Sequence, residues 1–219
     1  MKLHGEALRS IRAPDPERLA PLDRIGCVVI VGSTCTGKST LVDALRRSAL
    51  CKQGLVDVPV RYLTRPRRGG DDTVENVFVS HEEFARRAGT GEIAIAWRRE
   101  IEPGRAVSYG FAASRPGVLP VYSANNAVFA PDAEVSPARA FADALFVGVV
   151  APDPLRAERL QRRSPDLWSR PGEIARRLED LASRVEDHVH VVVENHGELE
   201  RAALHDIVTL VERARAKAG

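Results

Sequence analysis

Residues 31–40 read VGSTCTGKST and follow directly on the apolar run IGCVVI. Cys27 to Val31 is short and valine-rich, the composition of a strand buried on both faces of a parallel sheet. Gly32 breaks that run. Gly37-Lys38-Ser39 then opens STLVDALRRSAL, where Leu41, Val42, Leu45 and Leu50 recur at helical spacing. Strand, then G-x-x-x-x-G-K-S, then helix is the context in which a phosphate-binding P-loop forms. Gly32 and Gly37 permit backbone angles that turn the loop's N–H groups inward, and the helix N-terminus adds the positive end of its dipole. The expected nucleotide cradle is therefore Gly32, Ser33, Thr34, Cys35, Thr36, Gly37, Lys38, Ser39 and Thr40. Within it, Lys38 can act as a catalytic charge on the β- and γ-phosphates, and the Ser39 hydroxyl can ligate Mg²⁺. ATP and Mg²⁺ are the expected cofactors. A glycine-rich turn carrying a solvated lysine is the competing reading, and the flanking strand and helix count against it.

The whole chain narrows the class. Its 219 residues suffice for one α/β domain with a small lid or insert. A net charge of +2 gives no global field of the kind that marks a nucleic-acid binder. No apolar run of 18 residues and no signal-peptide pattern occurs, so neither a membrane nor a nucleic-acid partner is expected, and the cytoplasm is the default location. Cys27, Cys35 and Cys51 lack C-x-x-C spacing, which argues against zinc or a disulfide framework. Cys35 reads as a small loop filler or a reactive thiol.

Beyond the loop, strands are expected at VDVPVRYLT, NVFVS, EIAIAW, VLPVYSAN, LFVGVVAP and HVHVVVEN. Helices are expected at HEEFARRAG, PLRAERLQRR, from GEIARRLEDL, and from Leu199 onwards. Strands alternating with helices argue for an α/β fold of the P-loop NTPase type, a doubly wound parallel sheet with helices on both faces. Residues 1–24, with Pro14, Pro16 and Pro21, read as an N-terminal arm, and 25–219 as the catalytic domain.

Two arginine groups point to a second, phosphorylated substrate. RYLTRPRRGG sets Arg61, Arg65, Arg67 and Arg68 just past a strand end, where ligands of α/β sheets bind. Arginine forks grip phosphate oxygens bidentately, although an isolated cluster also suits a solvated basic loop. LQRRSPDLWSRPGEIARRL then places Arg162, Arg163, Arg170, Arg176 and Arg177 on two helices about a break. A lid at about 162–178 would carry such arginines onto a transferring phosphoryl group, and surface helices also carry arginines for solvation.

The order G-x-x-x-x-G-K-S, LTRPRR, FVSHEEF, SYG and RSPDLWSRPGEIARRL resembles the guanylate kinase-like family of P-loop kinases, from Cys27 to the C-terminus. The resemblance implies acceptor-phosphate roles for Arg65, Arg68 and Tyr109, and catalytic lid roles for Arg163 and Arg177. It also has departures. The family's guanine-reading carboxylate would fall in IAIAWRRE, where Ala94, Ile95 and Ala96 stand instead. A phosphate-binding tyrosine is replaced by Asn76. Both changes, with Arg61 to Pro66, Glu75-Asn76, Ser80 to Phe84, Arg87 to Gly89 and Trp97, are similar to the ribose 1,5-bisphosphate phosphokinase branch. That branch transfers the γ-phosphoryl of ATP to a phosphorylated ribose, giving 5-phosphoribosyl 1-diphosphate.

Three local features stand apart from the family pattern. FAASRPG is short for a parallel crossover, which needs a dozen or more residues, so this connection must differ. REIEPGRA is additional before Tyr109. VLPVYSANN ends in Ser123, Asn125 and Asn126 where an aspartate behind Mg²⁺ is expected, and Asp153 reads as a helix-start residue rather than its substitute. The expected activity is ATP-dependent phosphoryl transfer to a small phosphorylated acceptor, ribose 1,5-bisphosphate foremost. The alternatives are a guanylate-like nucleoside monophosphate kinase and a catalytically inactive binding module. The intact Lys38-Ser39 pair counts against the module, and the lack of an N-K-x-D-like motif counts against a GTPase.

Overall fold

Every residue of β2 (Cys27–Gly32) except its terminal glycine is an apolar side chain, and all six are buried. Alternation splits them between two cores: Val28 and Ile30 enter one, Cys27, Val29 and Val31 the other. That double burial places β2 in the centre of a sheet. A computed structural model describes residues 10–12, 23–67, 74–102, 104–129, 134–136, 140–163 and 185–218.

Five parallel strands form the main sheet, with β2 flanked by β10 (Ala144–Val150) and β8 (Leu119–Ala124). Beyond β10 lies β11 (Val191–Glu194), and beyond β8 lies β3 (Val56–Asp57). The fold is α/β with a parallel five-stranded sheet flanked by helices, the class the sequence pattern predicts. An antiparallel two-residue strand, β1 (Ile11–Arg12), closes the β11 edge. This piece of the N-terminal arm is pinned: the Ser10 N–H and hydroxyl both donate to the buried Asp206 carboxylate, at 2.8 and 2.7 Å.

On one face of the sheet, Leu41 and Leu45 of α1 (Lys38–Arg47) and Leu50 of the short α2 (Ala49–Lys52) share a core with Ile207, Leu210 and Val211 of the long terminal helix (Leu199–Arg215). The opposite face meets a second, mixed sheet that the sequence pattern did not reveal. Its order is β5 (Asn76–Phe78), β4 (Arg61–Leu63), β7 (Arg105–Ala112), β6 (Ile93–Glu102) and β9 (Glu134–Ser136). Trp97, Phe111 and Tyr122 bridge the two sheets, with ring centroids 5.0 Å apart (Trp97–Phe111) and 4.7 Å apart (Phe111–Tyr122). Outside the second sheet, α3 (His81–Gly89) is capped by the Ser80 hydroxyl and buries Phe84 against Tyr62 and Ile93.

This second sheet resolves three sequence features. VDVPVRYLT is not one strand: β3 and β4 belong to different sheets, separated at Pro59, which has no N–H for a ladder. REIEPGRA forms the end of the β6–β7 hairpin, with Gly104 at φ +74° in its turn. FAASRPG needs no crossover helix, because it links β7 of the second sheet to β8 of the main one. Asp153 begins α4 (Asp153–Arg163) and pairs with Arg156 at 2.6 Å. Among the described residues, no helix is long and apolar enough to cross a membrane.

Candidate active site

The P-loop closes at the carboxyl end of β2, where two glycines sit too close to their neighbours for a Cβ without a shift. A Cβ on Gly32 would stand 2.8 Å from Thr36 Oγ1 and 2.9 Å from the Val149 carbonyl. Gly37 has φ +86°, and a Cβ on it would meet Asn195 Nδ2 at 2.1 Å. Cys35 also adopts a positive φ, +64°, giving the loop the alternating turn that aims N–H groups inward. Its thiol is half-buried and unbonded to another cysteine.

Four side chains from three elements hold this loop. Asn195, at the end of β11, donates to the Thr36 carbonyl at 2.8 Å. Asn126, past the end of β8, donates to Ser33 Oγ at 3.0 Å. From α4, Arg156 Nε donates to the Thr34 carbonyl at 3.1 Å and Arg159 to those of Cys35 and Asn195, both at 3.3 Å. Arg159 also pairs with Glu200. Thr36 turns inward, its hydroxyl donating to the Ser33 carbonyl at 3.1 Å, so it shapes the cradle rather than lining it. The remaining cradle residues, Gly32 to Cys35 and Gly37 to Thr40, line one cavity of about 770 Å³.

That cavity reaches the second sheet. Lys38 Nζ donates to Ser123 Oγ at 2.7 Å and lies 3.5 Å from Glu75 Oε1. Ser39 Oγ donates to Glu75 Oε2 at 3.1 Å. Arg61 presses Nε and one terminal nitrogen onto Asn76 Oδ1, at 2.9 and 2.7 Å, and gives the other to the Ser123 carbonyl at 3.1 Å. Arg65 also lines the cavity, with its guanidinium 5.4 Å above the Phe78 ring. Burial pushes the Lys38 ammonium down to about 8, with Glu75 opposing the fall and Arg61 adding to it. Burial alone would raise Glu75, but Lys38, Arg61 and hydrogen bonds from Ser123 and Ser39 together hold it near 2.

The structure thus brings Lys38, Ser39, Arg65 and Arg163 to one cavity. Tyr109, expected at the acceptor's phosphate, is buried in the inter-sheet core, stacked on Trp97 at 5.4 Å, and is not part of the lining. Arg68 and Arg177 lie outside the described residues, as does most of the 162–178 lid. Sequence reading assigned no role to Asn195 or Arg159. Asn195 ends a parallel strand, the position from which α/β sheets hold ligands. Arg159 falls one helical turn before Arg163, on the same face of α4.

Mg²⁺ takes oxygen ligands and keeps several waters, so a serine hydroxyl, phosphate oxygens and a nearby carboxylate suffice to hold it. Ser39 and Glu75 supply oxygen donors of this kind, and among the described residues no group of three or more His, Cys, Asp or Glu gathers for a metal.

No protein-family model matches the chain. A guanylate kinase from Symbiobacterium thermophilum is 38% identical over 71 residues, which is 32% of this chain and 31% of that relative's length. The match therefore spans under a third of either protein. The crystal structure of guanylate kinase from Anaplasma phagocytophilum aligns over 89% of this chain and 88% of its own, with a TM-score of 0.50 and 17% identity. At that identity the likeness establishes the fold.

Proposed function

We propose that the protein is a kinase that moves the γ-phosphoryl group of ATP onto a small phosphorylated acceptor. The observation that carries this reading is the single cavity shared by the P-loop and by Arg61, Arg65 and Asn76. One wall offers backbone N–H groups, Lys38 and Ser39 to a triphosphate; the other offers two guanidinium groups to an anionic acceptor. Mg²⁺, held by Ser39, would neutralise charge on the β- and γ-phosphates. Lys38 balances the negative charge that builds on the transferring group, and Arg163 at the end of α4 faces the same space. Arg65 aligns the acceptor. An acceptor oxygen that already belongs to a phosphate is anionic, so no general base is needed.

Both matched relatives are named guanylate kinases, which favours a nucleoside monophosphate, GMP first, as the acceptor. A specific observation counts against a guanine base and keeps open a second reading, ribose 1,5-bisphosphate. Ala94 is exposed, Ile95 packs into the inter-sheet core and Ala96 packs against the Tyr62–Phe84 cluster. None of the three lines the cavity or carries a carboxylate to pair a guanine edge, whereas Arg61 does line it. A coupled ADP-release assay with GMP, ribose 1,5-bisphosphate and other sugar phosphates tests both. Turnover of either acceptor supports phosphoryl transfer and chooses between them; ADP release that no acceptor accelerates refutes the kinase reading.

A further inference from the structure

The end of β8 carries Ser123, Asn125 and Asn126 and offers no carboxylate to a metal, yet the P-loop serine has one. Glu75 reaches it from the other sheet. Its backbone carbonyl accepts from Arg61 N at 2.8 Å, which fixes the residue at the start of β5 beside β4. The residue is only 2% exposed, and its side chain crosses to the P-loop, with Oε2 on Ser39 Oγ at 3.1 Å and Oε1 3.5 Å from Lys38 Nζ. Ser123 stands where an aspartate on β8 would project, and it is occupied as the acceptor from Lys38 Nζ at 2.7 Å.

We infer that Glu75 is the carboxylate that holds and orients the water shell of the nucleotide's divalent cation, supplied by the acceptor-side sheet instead of by the main sheet. The inference rests on the kinase reading and deepens it. A hydroxyl and a carboxylate in mutual hydrogen-bond contact beside a P-loop lysine are hard oxygen donors of the type Mg²⁺ prefers. The charge balance agrees, because Lys38 and Arg61 both act on the buried Glu75 carboxylate. The placement also has a consequence for function. The P-loop and the acceptor wall are joined through Glu75, so a cation bound with ATP would tie the second sheet to the nucleotide. Glu75 is a positioning residue in this scheme and exchanges no proton.

The test uses the full chain and ATP. Calorimetry measures ATP affinity with Mg²⁺ and with EDTA, and Mn²⁺ electron paramagnetic resonance measures cation affinity in the ATP-bound protein. Outer-shell groups typically contribute 10- to 100-fold to metal affinity, so Glu75→Gln should weaken cation binding by about that factor while ATP in EDTA binds at least as well as to the wild type. Ser123→Asp added to Glu75→Gln should restore part of the lost cation affinity by returning a carboxylate to β8. Glu75→Asp, which keeps the charge, covers the case in which the glutamine variant does not fold. It should retain cation-dependent ATP binding, and its complete loss would overturn the inference. Unchanged cation affinity in Glu75→Gln would also overturn it, as would a raised acceptor KM with normal cation affinity, which would give Glu75 to the acceptor instead. These outcomes leave ATP binding by the wild type standing. A wild type that binds no ATP at all would remove the kinase reading itself.

Discussion

On the proposed reading the cavity has a nucleotide wall and an acceptor wall, and the two are built on different principles. The nucleotide wall is one contiguous run of backbone, residues 32–40, whose shape is fixed by two glycines and by side chains that grip its carbonyls from behind. The acceptor wall is a set of side chains from separate elements: Arg61 on β4, Arg65 after it, Glu75 before β5 and Asn76 within it. A wall made of backbone tolerates many sequences but few shapes. A wall made of side chains keeps its shape and changes its ligand with each substitution. Donor chemistry should therefore be insensitive to changes on the second sheet except at Glu75, which reaches Lys38 and Ser39, and acceptor choice should depend on the rest.

The largest effect should come from the residue that serves both walls. Lys38→Ala removes a positioned cation from the transferring phosphoryl group, and single electrostatic stabilisers of this kind are worth about 10²–10³ in kcat. ADP-release kinetics with the best acceptor, read beside circular dichroism to show a retained fold, would measure it. A variant within a few-fold of the wild type would break the comparison at its centre, because neither wall would then act through Lys38.

Gly37→Ala strikes the nucleotide wall alone. Its φ of +86° and the 2.1 Å approach of Asn195 leave no room for a methyl group. The strained conformation costs on the order of 1–3 kcal/mol, seen as weaker ATP binding and a lower melting temperature. Asn195→Gly in the same chain would remove the clash but also the hydrogen bond that holds the Thr36 carbonyl, so the loss should persist at least in the part due to φ.

How much of this was legible in the sequence follows the same division. The P-loop, β2 and α1 could be read because the relevant residues are contiguous and their spacing reports local geometry. The parallel strands β8, β10 and β11 were legible as apolar runs for the same reason. The second sheet was not, because VDVPVRYLT looks like one continuous strand and only Pro59 marks where it changes sheets. Glu75 was visible beside Asn76, but nothing in a linear reading shows that its carboxylate crosses to Ser39, 36 positions away. Arg159 and Asn195 are similar cases: ordinary residues on an ordinary helix and strand until the loop they hold is placed between them. Tyr109 fits a motif by position, while its ring belongs to the aromatic core.

Arg65→Ala addresses the acceptor wall. Charge-assisted hydrogen bonds contribute about 1.5–3 kcal/mol, so its loss should raise the acceptor KM, or lower kcat, by roughly 10- to 100-fold with the KM for ATP nearly unmoved. An equal rise in both KM values would show that the two walls are not separable.

The smallest effect, and the most direct reading of the contact between the walls, is in the pH dependence of stability without metal or nucleotide. Glu75 titrates near 2 in the folded chain against an ordinary 4.5, because Lys38, Arg61, Ser123 and Ser39 outweigh its burial. A depressed carboxylate pKa means that the unfolded chain binds the proton more readily. The contribution to stability is then complete above about pH 4.5 and fades as the pH falls toward 2. The wild type should melt above Glu75→Gln at pH 6, and the gap should narrow steadily as the pH is lowered to 3. The Lys38 pKa is lowered as well, but from a different cause: burial, which disfavours its charge, takes it to about 8, with Glu75 resisting. Replacing Glu75 removes that resistance, so the glutamine variant should lose the Lys38 charge at a lower pH, and the alkaline limb of kcat/KM, which reports the free enzyme, should move to lower pH with it. Melting curves between pH 3 and 6 and rate profiles between pH 7 and 9 separate the two limbs. A gap in melting temperature that stays constant down to pH 3 would mean that Glu75 acts by packing rather than charge, and the two walls would then be joined by shape alone.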